Sequence, residues 1–177
     1  MIVMSYNRVE RRDPVKQLFP LLIDLNDNNC TVFGGGECAV APVRILLSFG
    51  ARVTLISPQL CPELEKLCRE YDIRHIARRY FRGDCSNSQL CVAATDDRET
   101  NIRIATEAKA KSIPVNVTEP DAYGTFRFPR TVMDGSVTVT LSGTLSDGKM
   151  ECLQKRLQKY IPATVKKMEA EKPEVTE

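Results

Sequence analysis

Three consecutive glycines, set between a short apolar run and an amphipathic one, constrain this chain more than any other feature. Cys30-Thr31-Val32-Phe33 has the make-up of a buried strand, and Gly34-Gly35-Gly36 breaks it. From Glu37 to Phe49, apolar residues recur on one wide face through Cys38, Ala39, Val43, Leu46 and Leu47, which predicts a helix. Gly50 follows in the position after a helix end that accepts positive φ. Gly34-Gly35-Gly36-Glu37-Cys38-Ala39 is therefore G-x-G-x-x-A between a strand and a helix. In that setting Gly34 makes the tight turn, Gly36 lets the backbone approach a pyrophosphate, and Ala39 lets the helix lie close on the strand. The first helical turn, with Glu37 and Cys38, offers free N–H groups and a partial positive charge to phosphates.

The alternation continues downstream. Arg52 to Ser57 is a second strand, Pro62 to Tyr71 a short helix and Ile73 to Ala77 a third strand. Gln89 to Ala94 is a fourth strand, Asp97 to Lys111 a helix with Thr95 or Asp96 as its N-cap, and Ile113 to Val117 a fifth strand. Short, nearly all-apolar strands alternating with helices predict a parallel sheet covered on both faces. The fold class expected is α/β, a Rossmann-type doubly wound parallel sheet. After Glu119 the pattern changes. Phe126 to Arg130 is extended, Ser136 to Ser142 alternates apolar and polar, and Lys149 to Tyr160 is helical, with Met150, Leu153, Leu157 and Tyr160 on one face. This small C-terminal α+β piece has too few apolar residues for its own core and must pack on the first domain or on another chain. Residues 1–14 read as a polar arm, Leu18 to Leu25 as an extended apolar run, and Asn26 to Asn29 as a turn. Residues 166–177 read as a charged, frayed tail.

Composition excludes several function classes. With 25 Lys and Arg against 23 Asp and Glu, the net charge of +2 lacks the concentrated basic excess of a nucleic-acid binder. No apolar run approaches the roughly 18 residues of a membrane span, and Met1 to Asp13 lacks the apolar stretch of a secretory leader. Seven cysteines with no Cys-x-x-Cys pair, and the single His75, supply no ligand cluster, so no metal is expected. Unpaired thiols in this number favour a reducing compartment, the cytoplasm.

The strand ends carry the candidate chemistry, because ligands of open α/β sheets sit beyond the carboxyl ends of the strands. The cofactor-binding candidates are Gly34, Gly36, Glu37 and Cys38 on the glycine loop, Ser57, Pro58 and Gln59 after the second strand, and Thr95 and Asp96 after the fourth. The second strand end has neither the carboxylate that holds a ribose nor an arginine that meets a 2′-phosphate, so NAD and NADP both stay open at that position. Glu119 and Asp121, after the fifth strand, are the carboxylates placed to act as general base or to orient a substrate. His75 is read as structural, and Cys38 as packing against the cofactor.

Phe19-Pro20-Leu21-Leu22-Ile23-Asp24-Leu25, Val32-Phe33-Gly34-Gly35-Gly36, Gly50 to Pro58, Ala93-Ala94-Thr95-Asp96-Asp97 with Asn101, Val115-Asn116-Val117 and Phe126-Arg127-Phe128-Pro129 together resemble one family in order and spacing. It is the precorrin-2 dehydrogenase family, the N-terminal module of siroheme synthases. The resemblance implies NAD as cofactor and the oxidation of precorrin-2, a tetrapyrrole, to sirohydrochlorin, in some members with insertion of ferrous iron at the same site. It implies a homodimer joined through residues 126–165, a dinucleotide-binding domain over residues 15–125, and substrate contacts from Asn116 and Ser142. The family's essential aspartate aligns with Glu119, with Asp121 two residues on. Where the family has Glu-Arg-Lys after Val-Ala, this chain has Pro42 after Val40-Ala41, expected in or near the first helical turn. Two other readings stay open: a non-catalytic member that binds a dinucleotide or a tetrapyrrole, and an unrelated NAD(P) oxidoreductase, since fold does not fix function.

Overall fold

The structure, a computed structural model, describes residues 19–135, 137–143 and 145–170. Residues 1–18, with the expected polar arm, Ser136, Thr144 and residues 171–177 of the expected tail lie outside the described residues. The chain divides into two compact units, one of them Ile23–Phe128 and the other holding the residues from Pro129 onward.

In the first unit, β1 (Asn29–Phe33), β2 (Arg52–Ile56), β3 (Arg74–Ile76), β4 (Leu90–Ala93) and β5 (Val115–Val117) form a parallel sheet in the order β3-β2-β1-β4-β5. This is the doubly wound order, with its switch point between β1 and β4. Successive strand residues face opposite sides, and the two sides have separate cores. Helices α1 (Glu37–Ser48) and α2 (Pro62–Glu70) bring Val43, Leu46, Leu64 and Leu67 against Val32, Leu55 and Val92. On the other face, α3 (Arg98–Ala110) brings Ile104, Ala105 and Ala108 against Phe33, Cys91, Ala93, Val115 and Val117. Beside β5, on the α1 face, Phe126 and Phe128 stack edge-to-face at 5.1 Å and pack against that first core.

Two helix starts differ from the sequence reading. Asp97, not Thr95 or Asp96, caps α3: its carboxylate accepts from the backbone N–H groups of Glu99 and Thr100, both at 3.2 Å. The Thr95 hydroxyl is engaged elsewhere, and Asp96 stays exposed. In α1 the cap is Gly36, so Pro42 falls at the sixth helical position, past the first turn where a missing N–H costs nothing. The helix nevertheless runs on to Ser48, with Pro42 buried.

The long link between β3 and β4 is organised by Glu107 of α3, which is 9% exposed. Its carboxylate accepts from the Tyr80 hydroxyl (2.6 Å), Gly83 N (2.9 Å), Cys85 N (3.2 Å) and Lys111 Nζ (2.7 Å). Burial alone would raise its pKa, but the Lys111, Tyr80 and backbone bonds outweigh that and hold it at about 2. Arg78 closes the same link with two bonds to Asp84, at 2.6 and 2.8 Å.

In the second unit, β6 (Arg130–Asp134) and β7 (Val137–Leu141) form an antiparallel hairpin around Gly135, whose φ is +53°. Only an extended stretch from Phe126 to Arg130 was expected there; the strand begins where that stretch ends. The following helix, α4 (Asp147–Ala170), lies along the hairpin. Gln154 Nε2 donates to Thr131 O at 2.8 Å, and Val132, Met150 and Ile161 are buried. The expected helix, Lys149 to Tyr160, is thus longer at both ends and continues past residue 166, where a frayed tail was expected.

Glu107 makes the fold acid-sensitive. A carboxylate depressed to about 2 from an ordinary 4.5 contributes stability above that ordinary value, and the contribution is lost as pH falls towards 2. Glu107→Gln should cost about 1–3 kcal/mol near neutral pH and flatten the acid limb of stability. Urea midpoints followed by circular dichroism, from neutral pH downward, check this; an equally steep acid limb in the variant would refute it.

Candidate functional site

The glycine loop leaves β1 at the switch point. Gly34 has φ +113°, its N–H donates to Ile56 O at 3.0 Å, and a Cβ on it would stand 2.1 Å from Ala94 O. A Cβ on Gly35 would stand 1.9 Å from Gln59 O and 2.7 Å from Ser57 Oγ. Gly35 is no member of the fingerprint, which asks only for the first and third glycines; its signal in the sequence is the unbroken triplet. Gly36 is different. Its nearest neighbour across the site would be Asp96 Oδ1, at 3.6 Å, so it is open on the cleft side. No side chain caps α1 at Gly36, which leaves the first-turn N–H groups available at Glu37 and Cys38, both exposed. A dinucleotide pyrophosphate fits this cradle: donors without a cap, and room where a side chain would stand.

At the end of β2 the side chains are largely spent on the turn. Ser57 Oγ donates to Gln59 O at 2.8 Å, Ser57 N donates to Ile76 O at 3.3 Å, and His75 Nε2 lies 2.9 Å from Ser57 O. Ser57 is buried, while Pro58 and Gln59 stay exposed at the rim. His75 thus fastens β3 to the β2 turn.

Beyond β4 and β5, Asn101 does what the sequence reading did not assign. Its side chain is fully buried and fully engaged. Oδ1 accepts from Thr95 N (3.0 Å) and Thr95 Oγ1 (2.7 Å), and Nδ2 donates to Thr95 O and Glu119 O, both at 2.9 Å. One amide therefore ties the β4 loop, with Thr95 and Asp96, to the β5 loop, with Glu119. The Glu119 side chain is exposed and has no hydrogen bond or ion pair with the described residues.

Asp121 stands apart from Glu119 in its contacts. It begins a short 3₁₀ turn (Asp121–Tyr123) and pairs with Arg127, Nη2 to Oδ2 2.6 Å. The two, with Asn116, Thr118 and Pro42, line a cavity of about 320 Å³. Asn116 Nδ2 donates to Phe126 O at 3.2 Å. Ser142 is exposed and belongs to the second unit, after β7. Among the described residues no three His, Cys, Asp or Glu gather into a metal-holding group, and all seven cysteines are free thiols. Among them too, no helix is long and apolar enough to cross a membrane.

The strand order and the open glycine cradle at the switch point define a dinucleotide-binding protein of the Rossmann type. The chain belongs to the family described as "Putative NAD(P)-binding", which matches residues 21–130. The siroheme synthase of Methylobacillus flagellatus is 37% identical over 155 residues, 87% of this chain and 33% of that protein. That of Nitrosospira multiformis is 38% identical over 148 residues, 81% of this chain and 31% of that protein. The chain spans about a third of the length of these curated relatives. Among solved structures, "SirC, precorrin-2 dehydrogenase" shares the fold, with a TM-score of 0.62 and 22% identity over 83% of this chain and 71% of that one. The relatives agree with the resemblance read from the motifs.

The contrast between Gly35 and Gly36 separates fold from binding. Gly35→Ala drives a Cβ into backbone and should lower stability by about 1–3 kcal/mol. Gly36→Ala should melt like the parent yet bind NADH about tenfold more weakly, since its methyl group would occupy the pyrophosphate cradle. Thermal melts with NADH fluorescence titrations check both; undiminished NADH binding by Gly36→Ala would remove the cradle.

Proposed function

We propose that this chain catalyses the NAD-dependent dehydrogenation of precorrin-2 to sirohydrochlorin in siroheme biosynthesis. The observation that carries the reading is an open glycine cradle joined, through Asn101, to a loop bearing a carboxylate without a partner among the described residues. Kinship with siroheme synthases supplies the substrate.

The reaction takes a hydride and a proton from precorrin-2. NAD, when bound, would supply the hydride acceptor. Gly34, Gly36 and the first turn of α1, with Glu37 and Cys38, would hold its pyrophosphate. Ser57, Pro58 and Gln59 would border its ribose, and Thr95 and Asp96 would border the same cleft. Glu119 accepts the proton: Asn101 fixes its backbone, and its carboxylate is free of competing cations among the described residues. Asn116 and Ser142 contact the tetrapyrrole. The protein works in the cytoplasm, where unpaired thiols stay reduced.

It works as a homodimer. The second unit leaves Met133, Val137, Leu153 and Tyr160 substantially exposed, more apolar side chain than a hairpin and one helix cover, and a second copy buries them. Sedimentation equilibrium checks this; a monomer at micromolar concentration would overturn it.

The activity is tested by adding enzymatically made precorrin-2 and NAD to the purified protein under anaerobic conditions and following NADH absorbance. NADH should form together with the sirohydrochlorin spectrum. Glu119→Ala should slow turnover by about a hundredfold or more while NADH binding is kept. No NADH from folded, NAD-binding protein would sink the enzyme reading.

A further inference from the structure

The segment that follows the 3₁₀ turn is anchored along β5 but carries one long side chain that stays largely exposed. Thr125 N donates to Val115 O at 2.7 Å, Thr125 Oγ1 accepts from Val115 N at 2.8 Å, and Asn116 holds Phe126 O. Phe126 and Phe128 pack inward on the α1-side core. Arg127, between these two anchors, lines one cavity together with Asn116, Thr118 and Asp121. Its backbone is fixed while its guanidinium is 63% exposed, and its partner Asp121 is 61% exposed.

An ion pair that open contributes little to stability and exchanges readily with other partners. Only Nη2 of Arg127 meets Asp121, a one-bond contact that a substrate carboxylate can replace with a two-bond contact on the guanidinium fork. The cavity's 320 Å³ lies at the low end of the roughly 300–1,000 Å³ of small-molecule sites. It suits an acid side chain with the edge of the ring that bears it, with Pro42 and the Phe126–Phe128 pair as its apolar wall.

We propose that Arg127 is a specificity-determining residue that binds an acidic side chain of a polycarboxylate tetrapyrrole, and that Asp121 is the resident carboxylate the substrate displaces. Asp121 keeps the guanidinium solvated and aimed into the cavity until the substrate acid takes its place. This rests on the tetrapyrrole reading above for the macrocycle, but the selection for acid side chains is Arg127's own.

The test uses the full chain and uroporphyrin, a stable porphyrin bearing acetate and propionate side chains, followed by porphyrin fluorescence polarisation. Arg127→Ala should weaken uroporphyrin binding by about tenfold, with NADH affinity and melting temperature at parental values, and Arg127→Lys should recover part of the loss. In precorrin-2 turnover the effect should fall on KM more than on kcat. Asp121→Asn should tighten uroporphyrin binding by removing the competing carboxylate. Arg52→Ala, which removes an equal charge at the opposite end of β2, is the control and should leave binding unchanged. Parental affinity in Arg127→Ala, or an equal loss in Arg52→Ala, would overturn the assignment of Arg127 and leave the tetrapyrrole reading standing. A parent chain that binds no uroporphyrin and turns over no precorrin-2 would overturn both.

Discussion

The carbonyls of Ala94 and Gln59 come so close to Gly34 and Gly35 that no Cβ fits between them. The ends of β1, β2 and β4 thereby meet backbone to backbone, and the start of α1 is drawn to the same point. Close approach does two things at once. It closes the top of the sheet without polar side chains that would have to be satisfied there, and it leaves a surface of main-chain donors facing the switch point. Only Gly36, the member of the triplet with free space on its cleft side, is spared for something outside the chain. Packing thus accounts for two of the glycines and the cradle for the third.

Asn101 extends this order to the carboxylate side. Glu119 lies on a loop with no covalent reason to keep station with the glycine loop, and strand pairing fixes β5 only as far as Val117. A buried amide satisfied on both its oxygen and its nitrogen holds the loop where an unsatisfied one would cost about 1–3 kcal/mol. Thr95 supplies three of those four bonds and Glu119 O the fourth. One side chain on α3 thus ties the β4 loop, beside the glycine cradle, to the β5 loop that bears Glu119.

The strands, their alternation with helices and the glycine fingerprint were legible in the sequence because each is a local pattern. What escaped has a common cause in contacts between distant residues or in helix register. Three successive residues, Thr95, Asp96 and Asp97, are all good caps, and the choice fell to Asp97 because Asn101 takes up Thr95. Pro42 was misplaced by the same uncertainty of a residue or two at a helix start. Glu107 reads as one more charged residue on a helix, and its partners come from Tyr80 to Cys85 on another connection. β6 is a five-residue strand bounded by Arg130 and Asp134, too short and too charged at its ends for its alternation to stand out. Within the site, the glycine loop and the acidic residues were visible as types, but the partnership of Asp121 with Arg127 was not, since it needs the turn between them to fold back.

That partnership decides how two carboxylates so near each other divide the work. A carboxylate engaged by a guanidinium must give up that contact before it can take a proton, whereas one without a cation can take a proton directly. Among the described residues Glu119 is in the second position and Asp121 in the first. The extra methylene of Glu119, relative to the aspartate that the family resemblance places there, moves the charge further from the backbone that Asn101 fixes. Asp121 gains in exchange a cation on a rigidly anchored segment. On the proposed reading, proton acceptance and recognition of acid side chains are separate tasks on one loop, joined by a short stretch of chain through Pro120 and held to the same sheet edge, the first by Asn101 and the second by Thr125 and Asn116.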